Sequence, residues 1–359
     1  MCPGGSDKAL DYVLPLLQTV AAKDKNGNAC VAKVGTGGCG HYVKMVHNGI
    51  EHGMMSAVAE AYNIMYQGLC MDLDDIGNTF EKWNKDGPLR GTFLISIGAD
   101  ICRTEDDQGN RVVESLEDKV VQDITGEEGT GIWSNEEAIS HHIPAPTLNI
   151  AHDLRLASAD RQQRVDSQKA FGGEFPHQKI SLSGEDKKKF VKALEQAVYA
   201  ACLASYIQGM NIIERADIMH GWHIDYTSVL QIWKAGCIIQ ADHISDMLKP
   251  ILDKYQELKT INLLLQPKVM TEMRDALPSL REVVKTGVAN DWVVPSLGAS
   301  LEYVKYQTGT DLPTAFYEAE LDFFGKHMFD KKGEKGTGAP TEGKHHFEWR
   351  PAKGSDSRL

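Results

Sequence analysis

The sequence predicts a mainly α-helical protein with a short α/β piece at its start. Apolar residues recur in steps of three and four through most segments between His41 and His327. Pro and Gly punctuate these segments, for example at Gly87-Pro88 and Gly172-Gly173. With 359 residues, 42% apolar and 25% charged, the chain has a globular composition and enough material for a large buried core.

The first predicted element is an amphipathic helix over residues 8–22, followed by a predicted strand at Ala29–Val34. Helical spacing then predicts helices over residues 41–67, 73–85, 112–122, 145–158, 184–218, 226–256, 270–286 and 312–327. A strand with no partner indicates the last piece of an α/β domain whose earlier part is absent from the chain. Residues 330–359, rich in Gly and Lys/Arg, predict an extended arm.

Charge and cysteine usage exclude several classes of partner. The chain has 38 Lys+Arg against 50 Asp+Glu, a net charge of -12, so we expect no nucleic acid partner. Its seven cysteines are odd in number and form no C-x-x-C pair, which argues against a disulfide framework and against a zinc cluster. The histidine pairs also lack the spacing of a metal ligand set. We therefore expect reduced thiols, a cytoplasmic protein and no metal.

Membrane and export signals are not expected either. The N-terminal residues have neither a basic region nor an apolar stretch typical of a signal peptide. The longest apolar window, Ala197–Ile213, is interrupted by Ser205, Gln208 and Asn211. Because a membrane span needs about 18 clean apolar residues, this window predicts a buried helix.

The glycine run Gly35–Gly40 matches the dinucleotide pattern G-x-G-x-x-G after a predicted strand. A true fingerprint also needs a second strand ending in Asp or Glu about 20 residues further on. Here that region, Met54–Gln67, is predicted to be helical. The favoured interpretation is a junction whose backbone amides cap the next helix, with a nucleotide site as the alternative.

The helix that follows the glycine run carries a stripe of functional side chains. At about 100° per residue, Lys44, His47, Asn48 and Glu51 fall within an arc of roughly 100°. A solvated helix face could carry the same residues, but this helix is otherwise apolar and rich in glycine, which permits close approach of a neighbour. The stripe therefore indicates a reactive site.

Such a stripe suits the oxidation of a hydroxy acid followed by loss of CO2 from the resulting β-keto acid. Lys44 could remove a proton from a hydroxyl and later return it, while Glu51 exchanges a second proton. His47 and Asn48 could hold substrate oxygens. No metal is required if a cationic lysine polarises the ketone.

The segment Gly40–Glu51 resembles the catalytic helix of the 6-phosphogluconate dehydrogenase family, the decarboxylating enzymes of the pentose phosphate pathway. The resemblance continues through Met1–Gly5, Glu128–Trp133, Leu230–Ile239, Asp322–His327 and His346–Trp349. It implies a remnant of the NADP-binding domain over residues 1–37 and the family's all-helical C-terminal domain over 38–309. A dimer-locking segment and tail would follow over 310–359, and the rest of the N-terminal Rossmann domain, which binds most of NADP, would be missing.

The resemblance also implies roles for individual residues. Lys44 would be the base and then the acid at C3 of 6-phosphogluconate, and Glu51 would protonate C1 of the enediol. His47 and Asn48 would bind sugar hydroxyls and carboxylate, and Thr130 and Arg155 the phosphate. His327 would reach the site of a neighbouring subunit, which implies a homodimer. The product would be ribulose 5-phosphate, with CO2 and NADPH.

Three departures from the family pattern affect the implied phosphate subsite. The family's Lys before Thr130 is Glu128 here, its tail Arg is Leu321, and the Tyr after the catalytic Glu is His52. Two lost cations and one gained anion weaken a phosphate site, since a charge-assisted hydrogen bond contributes about 1.5–3 kcal/mol. Three alternatives stay open: nearby cations such as Lys326 substitute, the ligand is a different hydroxy acid, or the chain is a silent dimerisation or regulatory subunit.

Overall fold

A computed structural model describes residues 1–120, 129–173, 177–254, 260–334 and 343–349. Within these ranges the chain forms two compact units, one over Met1–Tyr303 and one from Val304 onward. The described α-helices are α1 (Asp7–Val20), α2 (Cys39–Asn63), α3 (Leu73–Lys85), α4 (Phe93–Arg103), α5 (Thr130–Ser140), α6 (Pro146–Ala159), α7 (Arg161–Phe171), α8 (Gly184–His220), α9 (Tyr226–Ile232), α10 (Asp242–Leu252), α11 (Pro267–Ala289), α12 (Pro295–Thr308) and α13 (Thr314–Gly325). The domain boundaries implied by the resemblance stay a prediction.

The core of the first unit is built around α8, which is buried along most of its length. The apolar window Ala197–Ile213 lies in its middle, so the buried helix expected there is confirmed. α2 and α11 pack along α8, and α5 and α6 pack on α2. None of the described helices is long and apolar enough to cross a membrane.

Two glycines of α2 allow these helices to pack closely. A Cβ at Gly49 would collide with the Ser134 hydroxyl of α5, and one at Gly53 with the Ser205 hydroxyl of α8. The elements that approach α2 closely at these two glycines are therefore the neighbouring helices α5 and α8. It brings the polar face of α2 next to the start of α5.

The expected strand at Ala29–Val34 is wrong, because the described residues there form only one isolated bridge, between Lys23 and Ala29. The segment packs instead on the region after α8: Val34 O accepts a hydrogen bond from Asp225 N, 2.7 Å away. Cys30, Val31 and Val34 are buried by this packing, so their apolar character reflects burial and not sheet formation.

Two predicted helices also differ from the structure. The described residues 112–120 form only a short 3-10 turn at Val112–Ser115. Leu116 is 67% exposed, so no burial of apolar surface stabilises a longer helix there. Residues 121 and 122 lie outside the described ranges. The predicted helix 226–256 is divided into α9 and α10 by a loop in which Gly236 adopts φ +62°. Spacing alone missed four further helices, namely α4, α5, α7 and α12.

In the second unit, Asp322 of α13 organises the described tail. Its buried carboxylate accepts hydrogen bonds from Met328 N and Phe347 N at 3.1 Å and from Trp349 Nε1 at 2.8 Å. It also lies 2.9 Å from His346 Nδ1. These contacts tie residues 343–349 to the end of α13. The rest of the predicted arm, 335–342 and 350–359, lies outside the described residues.

Candidate active site

The N-terminal half of α2 positions the predicted stripe by burying its opposite side. Val43, Val46, Ile50 and Met54 are fully buried, as the helical spacing predicts. Lys44 is exposed, Asn48 and Glu51 are half-buried and His47 is buried. The four polar residues therefore form a face that passes from solvent into the interior.

The polar side chains of this face contact one another. Lys44 Nζ donates to Asn48 Oδ1 at 2.5 Å and lies 3.1 Å from His47 Nδ1. His47 Nδ1 is also 3.0 Å from Asn48 Oδ1 and 3.8 Å from Glu51 Oε2. One imidazole nitrogen thus faces an amine, an amide oxygen and a carboxylate.

Thr130, the first residue of α5, fixes the orientation of the Asn48 amide. Asn48 Nδ2 donates to Thr130 Oγ1 at 2.7 Å. Because the amide nitrogen is used there, the amide oxygen points towards Lys44. The structure therefore joins Thr130 to the stripe, although the two segments are 82 positions apart.

Burial controls the protonation of the site histidine. The pKa of His47 is lowered to about 4, mainly by burial and next by the charge of Lys44. The ring is therefore neutral at physiological pH. Its single ring proton lies on Nδ1 or on Nε2, depending on the hydrogen-bond partners.

Arg155, on α6, meets α2 one turn beyond Asn48. Its guanidinium contacts Nε2 of His52, whose ring stacks on that of His152 with centroids 5.7 Å apart. Burial lowers the pKa of His52 to about 3, with the charge of Arg155 as the next cause. Arg155 and Thr130 thus line the same helix at successive turns.

His327 belongs to the second unit. It is exposed just after α13, and its ring lies 6.0 Å from that of Phe324. Leu321, at the position where the family pattern has Arg, is half-buried in the same unit. Glu128 lies outside the described residues.

Sequence reasoning missed Cys237, which the loop between α9 and α10 brings to the site. Its sulfur lies 3.0 Å from His47 Nε2. The signal that could have revealed this loop is Gly236, since glycine weakens a helix at an interior position, and here its backbone is left-handed.

The glycine run before α2 packs in part on the N-terminal residues. A Cβ at Gly40 would collide with the carbonyl oxygen of Pro3, and Gly37 pairs with Gly5 in an isolated bridge. The N-terminal residues therefore pack on the start of α2. Residues 54–63 belong to α2, as predicted, and not to the second strand that a dinucleotide fingerprint needs.

The described residues form a mainly helical body in which an amine, an imidazole, an amide and a carboxylate lie close together on one helix face, an arrangement suited to acid–base chemistry. Comparison with known proteins then specifies the family. The model of the 6-phosphogluconate dehydrogenase C-terminal domain matches residues 40–349. The chain belongs to the 6-phosphogluconate dehydrogenase family.

Individual relatives agree with this assignment. The chain is 42% identical to the decarboxylating 6-phosphogluconate dehydrogenase of Emericella nidulans, over 98% of this chain and 73% of that protein. It is 36% identical to decarboxylating 6-phosphogluconate dehydrogenase 1 of Oryza sativa subsp. japonica, over 97% of this chain and 68% of that protein.

A solved structure has the same fold. Plasmodium falciparum 6-phosphogluconate dehydrogenase, known in its apo form, with its cofactor NADP+ and with its substrate 6-phosphogluconate, superimposes with a TM-score of 0.84 at 31% identity. The match covers 97% of this chain and 70% of that one. The mainly helical fold expected from the sequence is confirmed.

Proposed function

We propose that this chain catalyses the NADP-dependent oxidative decarboxylation of 6-phospho-D-gluconate to ribulose 5-phosphate and CO2. The observation that carries the proposal is the contact of Lys44 with both His47 and Asn48, beside Glu51, on the helix matched by the family model. NADP+, when bound, accepts a hydride from C3 of the substrate. No described residue of this chain is assigned to holding it.

Lys44 is proposed as the base and acid at C3. Its exposed amine can reach a substrate hydroxyl, take its proton as C3 is oxidised, and return the proton to the ketone oxygen as CO2 leaves. Asn48 Oδ1, at 2.5 Å, supports the cationic form of Lys44 in the second step. Polarisation of the ketone by an ammonium group supplies the electrophile that decarboxylation needs.

Glu51 is proposed as the acid that protonates C1 of the enediol. It lies about two helical turns beyond Lys44 on the same face, and its carboxylate is 3.8 Å from His47 Nδ1. A second proton donor on the same helix face as the C3 base suits a substrate that reacts at two carbons in succession. His47 and Asn48 would hold the hydroxyls and carboxylate between them.

The sugar phosphate is proposed to lie towards Thr130 and Arg155. Both line α2 beyond Lys44, and the Arg155 guanidinium already meets His52 there. His327 of a second copy would complete the site, which makes the working form a homodimer. We infer that this homodimer acts in the cytoplasm, with a net charge of -12 that disfavours nucleic acid as a partner.

Lys44→Met provides the first test. The purified protein is mixed with 6-phosphogluconate and NADP+, and NADPH formation is followed by absorbance. We expect turnover by the wild type and none by Lys44→Met, because the variant has no proton acceptor at C3. Lys85→Met, at the exposed end of α3, is the matched control and keeps full activity.

Each outcome bears on the proposal. Turnover by Lys44→Met removes Lys44 from the mechanism. A wild-type protein that binds 6-phosphogluconate but forms no NADPH contradicts the proposal and favours the silent dimerisation or regulatory subunit. Turnover of a non-phosphorylated hydroxy acid in place of 6-phosphogluconate identifies a different dehydrogenase.

A further inference from the structure

A thiol lies against the histidine of the proposed site, on the side away from Lys44. Cys237 Sγ is 3.0 Å from His47 Nε2, while Nδ1 of the same ring faces Lys44 at 3.1 Å. His47 is buried and Cys237 is half-buried. The two residues are 190 positions apart, so the contact depends on the loop between α9 and α10.

The surroundings of the sulfur determine which group donates. The backbone N–H of Ile239 donates to the Cys237 sulfur, which leaves the thiol proton for His47. Burial raises the pKa of Cys237 to about 11, so the thiol keeps this proton at neutral pH. Since His47 is neutral, Nε2 can accept.

We propose that Cys237 is a positioning residue whose S–H donates to Nε2 of His47 and holds the imidazole in the Nδ1–H tautomer. The consequence for catalysis rests on the function proposed above. Nδ1–H then points at Lys44 Nζ and Asn48 Oδ1. A ring N–H can donate to an unprotonated amine but repels an ammonium, so this tautomer favours the form of Lys44 that accepts a proton.

The opposite tautomer would do the reverse. A bare Nδ1 would accept from the Lys44 ammonium and hold its proton. With the Nδ1–H tautomer, Lys44 has one neighbour for each protonation state: His47 favours the amine and Asn48 Oδ1 favours the ammonium. A group that acts first as base and then as acid needs this balance.

Other charged or titratable groups also face this cluster. Glu51 lies on α2 itself, and the N-terminal segment contributes the amino group of Met1 and the thiol of Cys2. The charge of the Met1 amino group lowers the pKa of His47 and that of the Cys237 thiol. None of these groups changes when Cys237 is replaced, so a Cys237 variant isolates the effect of the tautomer.

The tautomer is measurable without turnover. In protein labelled with 15N-histidine, the ring-nitrogen shifts of His47, assigned with His47→Gln, distinguish Nδ1–H from Nε2–H. We expect Nδ1–H in the wild type and in Cys237→Ser, whose hydroxyl still donates, and a shift towards Nε2–H in Cys237→Ala. Cys102→Ala, which removes a buried thiol of α4, is the control and leaves the signal unchanged.

Kinetics provide the second readout. In Cys237→Ala, the acidic limb of the kcat/KM profile moves to higher pH, and kcat/KM at neutral pH falls about two- to tenfold, the range for one lost hydrogen bond. Cys237→Ser restores both. A role for Cys237 in packing alone would lower stability without moving the pH profile.

The failures of the two proposals are distinguishable. Nε2–H in the wild type, or an unchanged tautomer in Cys237→Ala, overturns the positioning role whether or not the protein is active. A tautomer that changes as expected in a protein without turnover supports the positioning role and contradicts the proposed function.

Discussion

Glu51 and Glu60 lie on the same helix, about two and a half turns apart, in different surroundings. Glu51 is half-buried on a face where an amine and an imidazole lie close by. Glu60 is buried, and its oxygens accept hydrogen bonds from Ser56 Oγ and Ser296 N at 2.8 Å and from Leu297 N at 3.0 Å. Glu51 thus has side chains that can exchange protons as its neighbours, whereas the neighbours of Glu60 are hydrogen-bond donors held by the fold.

The reason for the second arrangement lies in α12. That helix begins with Pro295, which has no N–H, and the residue before it, Val294, has no side-chain oxygen to cap the following amides. Glu60 supplies the missing acceptor from α2. The carboxyl oxygens of Glu60 accept hydrogen bonds from backbone donors and so stabilise the fold. The carboxylate of Glu51 lies beside a Lys–His pair and is available to exchange protons.

Replacement of Glu51 should have the largest effect. We expect Glu51→Gln to lower kcat about 10²- to 10⁴-fold, the usual contribution of a general acid or base, because the amide cannot protonate C1. The melting temperature should stay near that of the wild type, since the carboxylate is half-buried and the amide is isosteric. Steady-state NADPH formation and thermal unfolding measure the two quantities. Full activity in this variant would assign the proton to another group.

Replacement of Glu60 should instead lower the stability of the protein and leave kcat unchanged. Glu60→Ala leaves the Ser296 and Leu297 amides without their acceptor, so the free energy of unfolding should fall by about 2–4 kcal/mol. Urea unfolding measures it, with Glu282→Ala on the exposed face of α11 as the control. The kcat of the folded fraction should not change. A stable variant with low kcat would reverse the assignment of the two glutamates.

The two glutamates also differ in how far the sequence could predict them. Helical spacing alone placed Lys44, His47, Asn48 and Glu51 on one face, because local periodicity determines which residues share a side of a helix. It gave no indication of Glu60, whose backbone donors on α12 are 236 and 237 positions away. Long-range hydrogen bonds leave no periodic signal.

The prediction of the helices from apolar spacing is limited for the same reason, because spacing carries no information on long-range contacts. Long helices with strong spacing, such as α2 and α8, were predicted close to their observed ends. The segment 112–122 had suitable spacing, but Leu116 meets no surface that would bury it. The break at Gly236, which places Cys237 beside His47, lies between apolar residues on both sides, so spacing alone predicts one continuous helix there. Periodicity shows which residues would share the apolar face of a helix. Whether the helix forms depends on a neighbouring surface against which that face can pack.

The smallest expected effect is the pH dependence of stability due to Glu60. Burial raises the pKa of Glu60 to about 7, although the three donors lower it. In the unfolded chain a glutamate titrates near its ordinary value, about 4.3. Between these values the folded protein binds more protons than the unfolded chain, so stability falls as pH rises.

This contribution is fully present below about pH 4 and is lost as pH rises through about 7, and it amounts to about 4 kcal/mol at most. Other carboxylates also titrate over this range, so the informative quantity is the difference between the wild type and Glu60→Gln, which keeps an acceptor oxygen but does not titrate. Urea unfolding at pH 5 and at pH 7.5 should show the wild type losing stability relative to the variant. A difference that is the same at both values would mean that the donors around Glu60, and not its burial, control its charge, and Glu60 would then be ionised in the folded protein at both pH values.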